Sequence, residues 1–179
     1  MNSRFLLLAL VAHSVAAAQN PRGRALGTPF EGKTGPNNAI TDVPGVAVGH
    51  ATVIKGEGKL VPGEGPIRTG VTAILPRPKG NWDFVMAATF NQNGSGDLFL
   101  AFSTANPGAS KEDALATLEM VPNDAIDPFF RATIAATEEA VVNAMLAAPP
   151  TFTGVDGLRI SGLPGDRLVA AMKKYGRMK

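Results

Sequence analysis

The order of apolar segments predicts an α/β domain in which helices cover a mixed or mostly antiparallel sheet. Three observations carry this reading. Short alternating or continuously apolar runs between residues 45 and 106 have strand character, residues 127–148 form one long helical pattern, and twenty glycines with fourteen prolines cut the remainder into short pieces. At 179 residues the chain is long enough for one domain with a real core and short for two. It has no cysteine, which excludes disulfides and thiolate metal sites. A formal charge of +2, with no basic cluster longer than Lys173-Lys174, gives no electrostatic footprint for nucleic acid.

Met1-Asn2-Ser3-Arg4 places one positive charge before the mostly apolar Phe5–Val15, and Ala16-Ala17-Ala18 closes the segment with small residues. That is the pattern of a secretory signal peptide, and its apolar run is shorter than the ~20 residues a bilayer span takes. The expected organisation is a signal over 1–18, cleaved near Ala18 or Gln19, and one domain over 19–179. A secreted or periplasmic location follows, with no membrane association once the signal is removed.

Residues 19–44 are rich in turn formers. Within them Gly27-Thr28-Pro29-Phe30-Glu31-Gly32-Lys33-Thr34 matches the pattern of a phosphate-cradling loop. That loop works only between a strand and a helix whose free amides meet phosphate. Here a charged linker precedes it, and Gly35-Pro36 prevents a helix from starting. No nucleotide cofactor is expected. Gly45–Ile54 alternates and carries β-branched residues, so a strand is predicted. His50 lies in it and is the only histidine outside the expected signal, which holds His13, and one histidine without cysteine cannot build a histidine-rich metal site. A hydrogen-bonded strand-end histidine is the plainer reading, a catalytic base the sharper one.

Residues 55–70 read as a glycine-rich loop whose two Gly-Glu-Gly units are hairpin or loop chemistry. Val71–Leu75 and Phe84–Phe90 are predicted as buried strands joined by the turn Pro76–Asp83. Leu98–Asn106 is apolar without helical period and reads as a strand covered on both faces. Lys111–Met120 reads as helix or loop, with Pro122 limiting any helix. Asp127–Ala148 is predicted as a helix, with Asp127 capping its first amides and Pro128 at the first helical position. Phe130, Ile134, Val141, Met145 and Leu146 are expected to form its apolar face, and Glu138 and Glu139 its solvated side. Pro149-Pro150 ends it. A last helix is predicted over Arg167–Tyr175, opened by Pro164-Gly165-Asp166 and closed by Gly176, with Lys173 and Lys174 complementing its C-terminal dipole.

Several of these segments together resemble one family. Asn38–His50 (NAITDVPGVAVGH), Ile67–Pro76 (IRTGVTAILP), Gly94–Pro107 (GSGDLFLAFSTANP), Asn123–Ala140 (NDAIDPFFRATIAATEEA) and Leu163–Tyr175 (LPGDRLVAAMKKY) are similar to the L-aminopeptidase/D-esterase (DmpA-like) and β-peptidyl aminopeptidase family. The resemblance implies part of an α/β/β/α sandwich, usually assembled as a homo-oligomer. It also implies a precursor that cuts itself before a serine, which then becomes the first residue of a second subunit and attacks the substrate. Such a serine can use its own freed α-amine, of pKa roughly 7.7–8.0, as a base. Substrates implied are small peptides, amino-acid amides or esters, cleaved after the N-terminal residue without a metal or organic cofactor. In the family a Ser-x-acid pair supports the nucleophile, and Ser95 and Asp97 match that pair.

The departure from the family matters as much. Intact relatives carry a large segment between the strand ending near Phe90 and the Asn93-Gly94-Ser95-Gly96-Asp97 turn. It holds the self-cleavage site, the nucleophile, and a tyrosine and an asparagine of the site. The sole tyrosine here, Tyr175, lies in the last predicted helix. An internal deletion joining two similar glycine-rich turns at residues 91–95 is expected, leaving a chain of serine-aminopeptidase lineage without catalysis of its own. The alternative is a non-catalytic secreted remnant or oligomerising module. Ser95 as the nucleophile fits poorly, because Gly96-Asp97 follows where the family nucleophile runs into apolar residues. For Ser95 and Asp97 the plain reading is a turn that caps the next strand.

Overall fold

A computed structural model describes residues 20–81, 83–91, 94, 96, 98–109 and 113–178. The expected signal segment therefore lies outside the described residues. Among the described residues strand and helix are mixed, every strand pairing is antiparallel, and the expected single sheet is instead three two-stranded ribbons. β1 (Ala47–Lys55) pairs with β2 (Ile67–Leu75), β3 (Met86–Asn91) with β4 (Leu98–Ser103), and β5 (Thr151–Thr153) with β6 (Arg159–Ser161). The helices α1 (Asp127–Ala147) and α2 (Gly165–Lys174) accompany them.

β1 and β2 run in register from Ala47↔Leu75 to Lys55↔Ile67, so the Gly-Glu-Gly stretch is the hairpin connection. β2 begins four residues before the predicted strand because Ile67, Arg68 and Thr69 find ladder partners in Lys55, Ile54 and Val53. Arg68 ties the mouth of this hairpin to β5. Its Nη1 donates to the carbonyls of Lys55 (3.1 Å) and Ile67 (2.7 Å), its Nη2 to Gly56 (2.9 Å) and its Nε to Thr153 (3.0 Å). The β5–β6 hairpin meets the same connection through Asp156, whose amide donates to the Gly58 carbonyl and whose Oδ1 accepts from the Leu60 amide. An Arg68→Ala variant is expected to lose about 1.5–3 kcal/mol, the range for bonds made by a charged group. Chemical denaturation should register this as a lower midpoint with an unchanged slope.

β3 and β4 pair from Met86↔Ser103 to Asn91↔Leu98. Arg77 holds the open end of this ribbon: Nη1 donates to the Thr104 carbonyl at 2.9 Å and Nη2 to the Phe84 carbonyl at 3.2 Å. Asp83 lies 4.0 Å from Nη2 and accepts from the Gly108 amide. Asn106 continues the brace by exchanging hydrogen bonds with the backbone of Glu119. The ribbon is thus fixed at one end and carries residues 92–97 at the other. Of Lys111–Met120, left between helix and loop by the sequence, residues 113–120 contain neither helix nor strand, and 111–112 lie outside the described residues.

α1 starts at its predicted cap, one residue early: Ile126 is the N-cap and Asp127 the first helical residue, with no side-chain cap bond. α2 begins at Gly165, and Gly176 closes it in the left-handed region (φ 62°), its amide donating to Lys173 while Arg177 returns to Met172. The buried apolar core among the described residues is small: Val46, Leu146 and Met172.

Two expectations about burial are overturned. β4 was expected to be covered on both faces, yet Leu98 is 72% and Leu100 63% exposed. The strands β2 and β3 are likewise open. No second layer of the described chain lies on them, and an apolar run can require cover that its own chain does not supply. On α1 the expected apolar face is also exposed, with Phe130 at 59% and Ile134 at 68%, and only Leu146 of that set is buried. The helix instead turns Ala135, Glu139, Val142, Asn143 and Leu146 inward, one stripe at helical spacing.

Candidate functional site

The pair singled out by sequence sits in the connection between β3 and β4. Asn91 and Leu98 are the last ladder partners, so residues 92–97 must turn the chain between them. Gly94 is a turn residue at φ 83°, a conformation that glycine adopts without steric cost. Neither Gly94 nor Gly96 has a heavy atom within 4 Å of where a Cβ would stand. Ser95 and Asp97 themselves lie outside the described residues, as do Gln92 and Asn93. The described chain leaves the ribbon at Asn91 and re-enters it at Leu98, at the end away from the Arg77 brace.

His50 is not at a strand end but inside β1, where its Nδ1 lies 2.9 Å from the Thr72 hydroxyl of its cross-strand partner. Both residues are exposed, and the contact needs no catalytic role. Tyr175 follows α2, exposed, with the Lys174 ammonium 5.4 Å from its ring centroid. The phosphate-loop pattern at 27–34 follows a short 3₁₀ turn, Gly23–Leu26, and the next helical element is another such turn, Ile40–Asp42. Strand and helix, which that loop requires on either side, are replaced by single turns. Among the described residues no group of three His, Cys, Asp or Glu side chains is placed to hold a metal.

The strongest polar cluster is one that sequence reading assigned to solvent. Glu138 is exposed as expected, but Glu139 is 6% exposed. Its Oε2 accepts from Arg24 Nε at 2.7 Å and its Oε1 from Asn38 Nδ2 at 2.6 Å. Asn143, one turn on, accepts from the Gly23 amide at 2.9 Å. Burial pushes the Glu139 carboxyl up, but the bonds from Asn38 and Arg24, the Arg24 charge and Asn143 outweigh it and hold the group below its ordinary value. Arg24 also donates to the Phe30 and Glu31 carbonyls and lies 5.6 Å from the Phe30 ring centroid. The cluster straps residues 20–38 across α1. It is structural in its geometry: every polar atom named has a protein partner. A signal existed in the sequence, since Ala135, Glu139, Val142 and Leu146 share one helical face.

A cavity of about 360 Å³ lies beside this strap, lined by Asn20, Pro21, Leu26, Leu146, Leu163 and Asp166 among others. Its walls are chiefly apolar and Asp166 is its one titratable side chain.

Comparison with known proteins gives a consistent picture. A family model described as "Peptidase family S58" matches residues 38–96 and 86–160. The chain is 50% identical over 93 residues to "Beta-peptidyl aminopeptidase BapA" of Sphingosinicella microcystinivorans, a stretch covering 52% of this chain and 24% of that protein. It is 53% identical over 94 residues to the protein of the same name from Sphingosinicella xenopeptidilytica, covering 51% and 23%. The chain thus spans about a quarter of the length of these curated relatives. The crystal structure of the PH0078 protein from Pyrococcus horikoshii OT3 superposes with a TM-score of 0.74 at 21% identity. That match covers 88% of this chain and 100% of the other, and it is a likeness of fold.

Proposed function

The chain belongs to peptidase family S58, and we propose that it is the scaffold of a self-processing serine aminopeptidase without the segment that carries the nucleophile. One observation carries this reading. The family match falls in two segments, and both include residues 86–96. A continuous domain aligns once from end to end. A splice between two similar glycine-rich turns aligns twice and overlaps at the junction, here the β3–β4 connection. The exposed strands β3 and β4 around that junction agree with a four-layer α/β/β/α sandwich that has lost its centre.

The chemistry of the lineage is removal of the N-terminal residue from small peptides, amino-acid amides or esters. It needs an attacking hydroxyl, a base to take its proton, and donors for the tetrahedral oxyanion, each donor worth about 10²–10³ in rate. Ser95 and Asp97 match the Ser-x-acid pair that supports the nucleophile in the family. Without the nucleophile they polarise nothing, and they serve as the turn that opens β4. Residues 1–18 direct the chain out of the cytoplasm, and the mature protein works as a homo-oligomeric, non-catalytic remnant.

Purified mature protein incubated with amino-acid p-nitroanilides and β-alanyl amides is expected to release no product. A denaturing gel should show one uncut chain. Turnover that Ser95→Ala abolishes would overturn the reading, as would genomic DNA that encodes further residues between codons 91 and 95.

A further inference from the structure

The cavity beside the strap is bounded by the first described residues of the chain, Asn20 and Pro21, and by the start of α2, Gly165 and Asp166. Asn20 is fixed there: its Nδ2 donates to the Leu146 carbonyl at 2.9 Å, with the Ala148 carbonyl at 3.5 Å. Consecutive Cα atoms are about 3.8 Å apart, so residue 19 starts at the cavity wall. At about 360 Å³ the space is at the small end of ligand sites, which run about 300–1,000 Å³. One or two residues suit it. A group tethered this closely is held at an effective concentration of roughly millimolar or more, ahead of any scarce solute.

The chemistry of the lining selects what that group is. The walls are chiefly apolar, with Leu146 buried, and they disfavour a bare charge. α2 opens on the cavity at Gly165. The first amides of a helix lack intrahelical acceptors and carry partial positive charge, and Pro164, the N-cap, supplies no side-chain bond. Beside them stands the Asp166 carboxylate, the one titratable group of the lining. A small neutral group with a carbonyl for the amides and an N–H for the carboxylate fits both. A free α-ammonium offers donors alone and faces the positive end of the helix.

Ala16 and Ala18 fill the small positions of an A-x-A site, which puts the leader cut before Gln19. We propose that Gln19, once it is the first residue, closes to pyroglutamate, and that the ring seats in this cavity with its carbonyl toward the first amides of α2 and its N–H toward Asp166. In the closure the neutral α-amine nitrogen attacks the Cδ of its own side chain. The N–Cδ bond forms, the Cδ–Nε2 bond breaks, and Nε2 leaves as ammonia with the proton given up by the attacking nitrogen. No other reactant is consumed, and an α-amine of pKa roughly 7.7–8.0 is partly neutral in neutral water. The proposal rests on the reading of residues 1–18 as a leader and is independent of any reaction of the family.

The full chain with its own leader is secreted from a bacterial host, and the first peptide of the purified protein is read by mass spectrometry. It is expected to start at residue 19, to be lighter by one ammonia than the glutamine form, and to take no amine-reactive label. Pyroglutamyl peptidase should remove the ring from the folded protein at least about tenfold more slowly than from a free peptide of residues 19–26 closed in the same way, because release requires local opening. Asp166→Ala, verified as folded by circular dichroism, should lose most of that protection, while Lys174→Ala at the other end of α2 keeps it. A free, labelled amine at Gln19, or a cut at another position, overturns the proposal and leaves the leader reading standing. A retained leader overturns both. A ring removed as fast from the folded protein as from the peptide, or protection unchanged in Asp166→Ala, overturns the seat in the cavity and with it the proposal.

Discussion

Replacing Leu146 by alanine is expected to cost about 2–5 kcal/mol, the range for emptying a buried leucine site. Leu146 is 3% exposed, the deepest of the three buried apolar side chains among the described residues. It stands where the last turns of α1, the strap and the start of α2 meet, and it lines the cavity with Leu26 and Gly165. Its own carbonyl accepts from Asn20 Nδ2 at 2.9 Å. Truncation therefore enlarges an existing space and loosens the contact of three segments at once. With so small a core, the loss is a large share of the whole stability. Thermal unfolding of Leu146→Ala against the parent checks this. A Leu146→Met variant, close in volume, should lose less than about 1.5 kcal/mol; equal losses would mean that volume is not what Leu146 contributes.

Glu139→Ala is the second large effect, at about 1–3 kcal/mol for the polar groups it leaves unpaired. Arg24 keeps its carbonyl contacts and some exposure to water, which limits the cost. The consequence should be local: residues 20–38 lose their anchor on α1 and become accessible to proteases while the ribbons stay paired. Limited proteolysis with mass spectrometry would locate the cuts. Acid gives a second readout. The folded carboxyl titrates below its ordinary value, so its stabilisation is complete above that value and is lost as pH falls through the folded one. Glu139→Gln should remove this part of the acid dependence. A parent and a Glu139→Gln variant with identical unfolding curves from neutral to acid pH would show that the ion pair carries no stability.

The pattern of α1 explains what was and was not legible in the sequence. β1 was plain from alternation and β2, β3 and β4 from apolar runs between turns, while the sheet was left mixed or mostly antiparallel. The extent of α1 was plain from Pro128 and the length of the periodic run. Its orientation was misread because an apolar stripe of Phe130, Ile134, Val141 and Met145 is assumed to face the chain's own interior. In this molecule that stripe is open, while a carboxylate is drawn inward by an arginine 115 residues away. Nothing local announces such a partner. β5 and β6 escaped for another reason: three-residue strands are too short to show a period. Ser95 and Asp97 stood out only through likeness to a family, since glycine-flanked serine and aspartate are ordinary turn chemistry.

The strap on α1 also sets an order of events in time. Arg24 must wait for Glu139, and Gly23 for Asn143, 120 positions later. At about 5–20 residues per second, several seconds of translation pass before either contact can close. Residues 20–38 are therefore late to settle, and through that interval they are open to whatever targeting factor, chaperone or protease reaches them first.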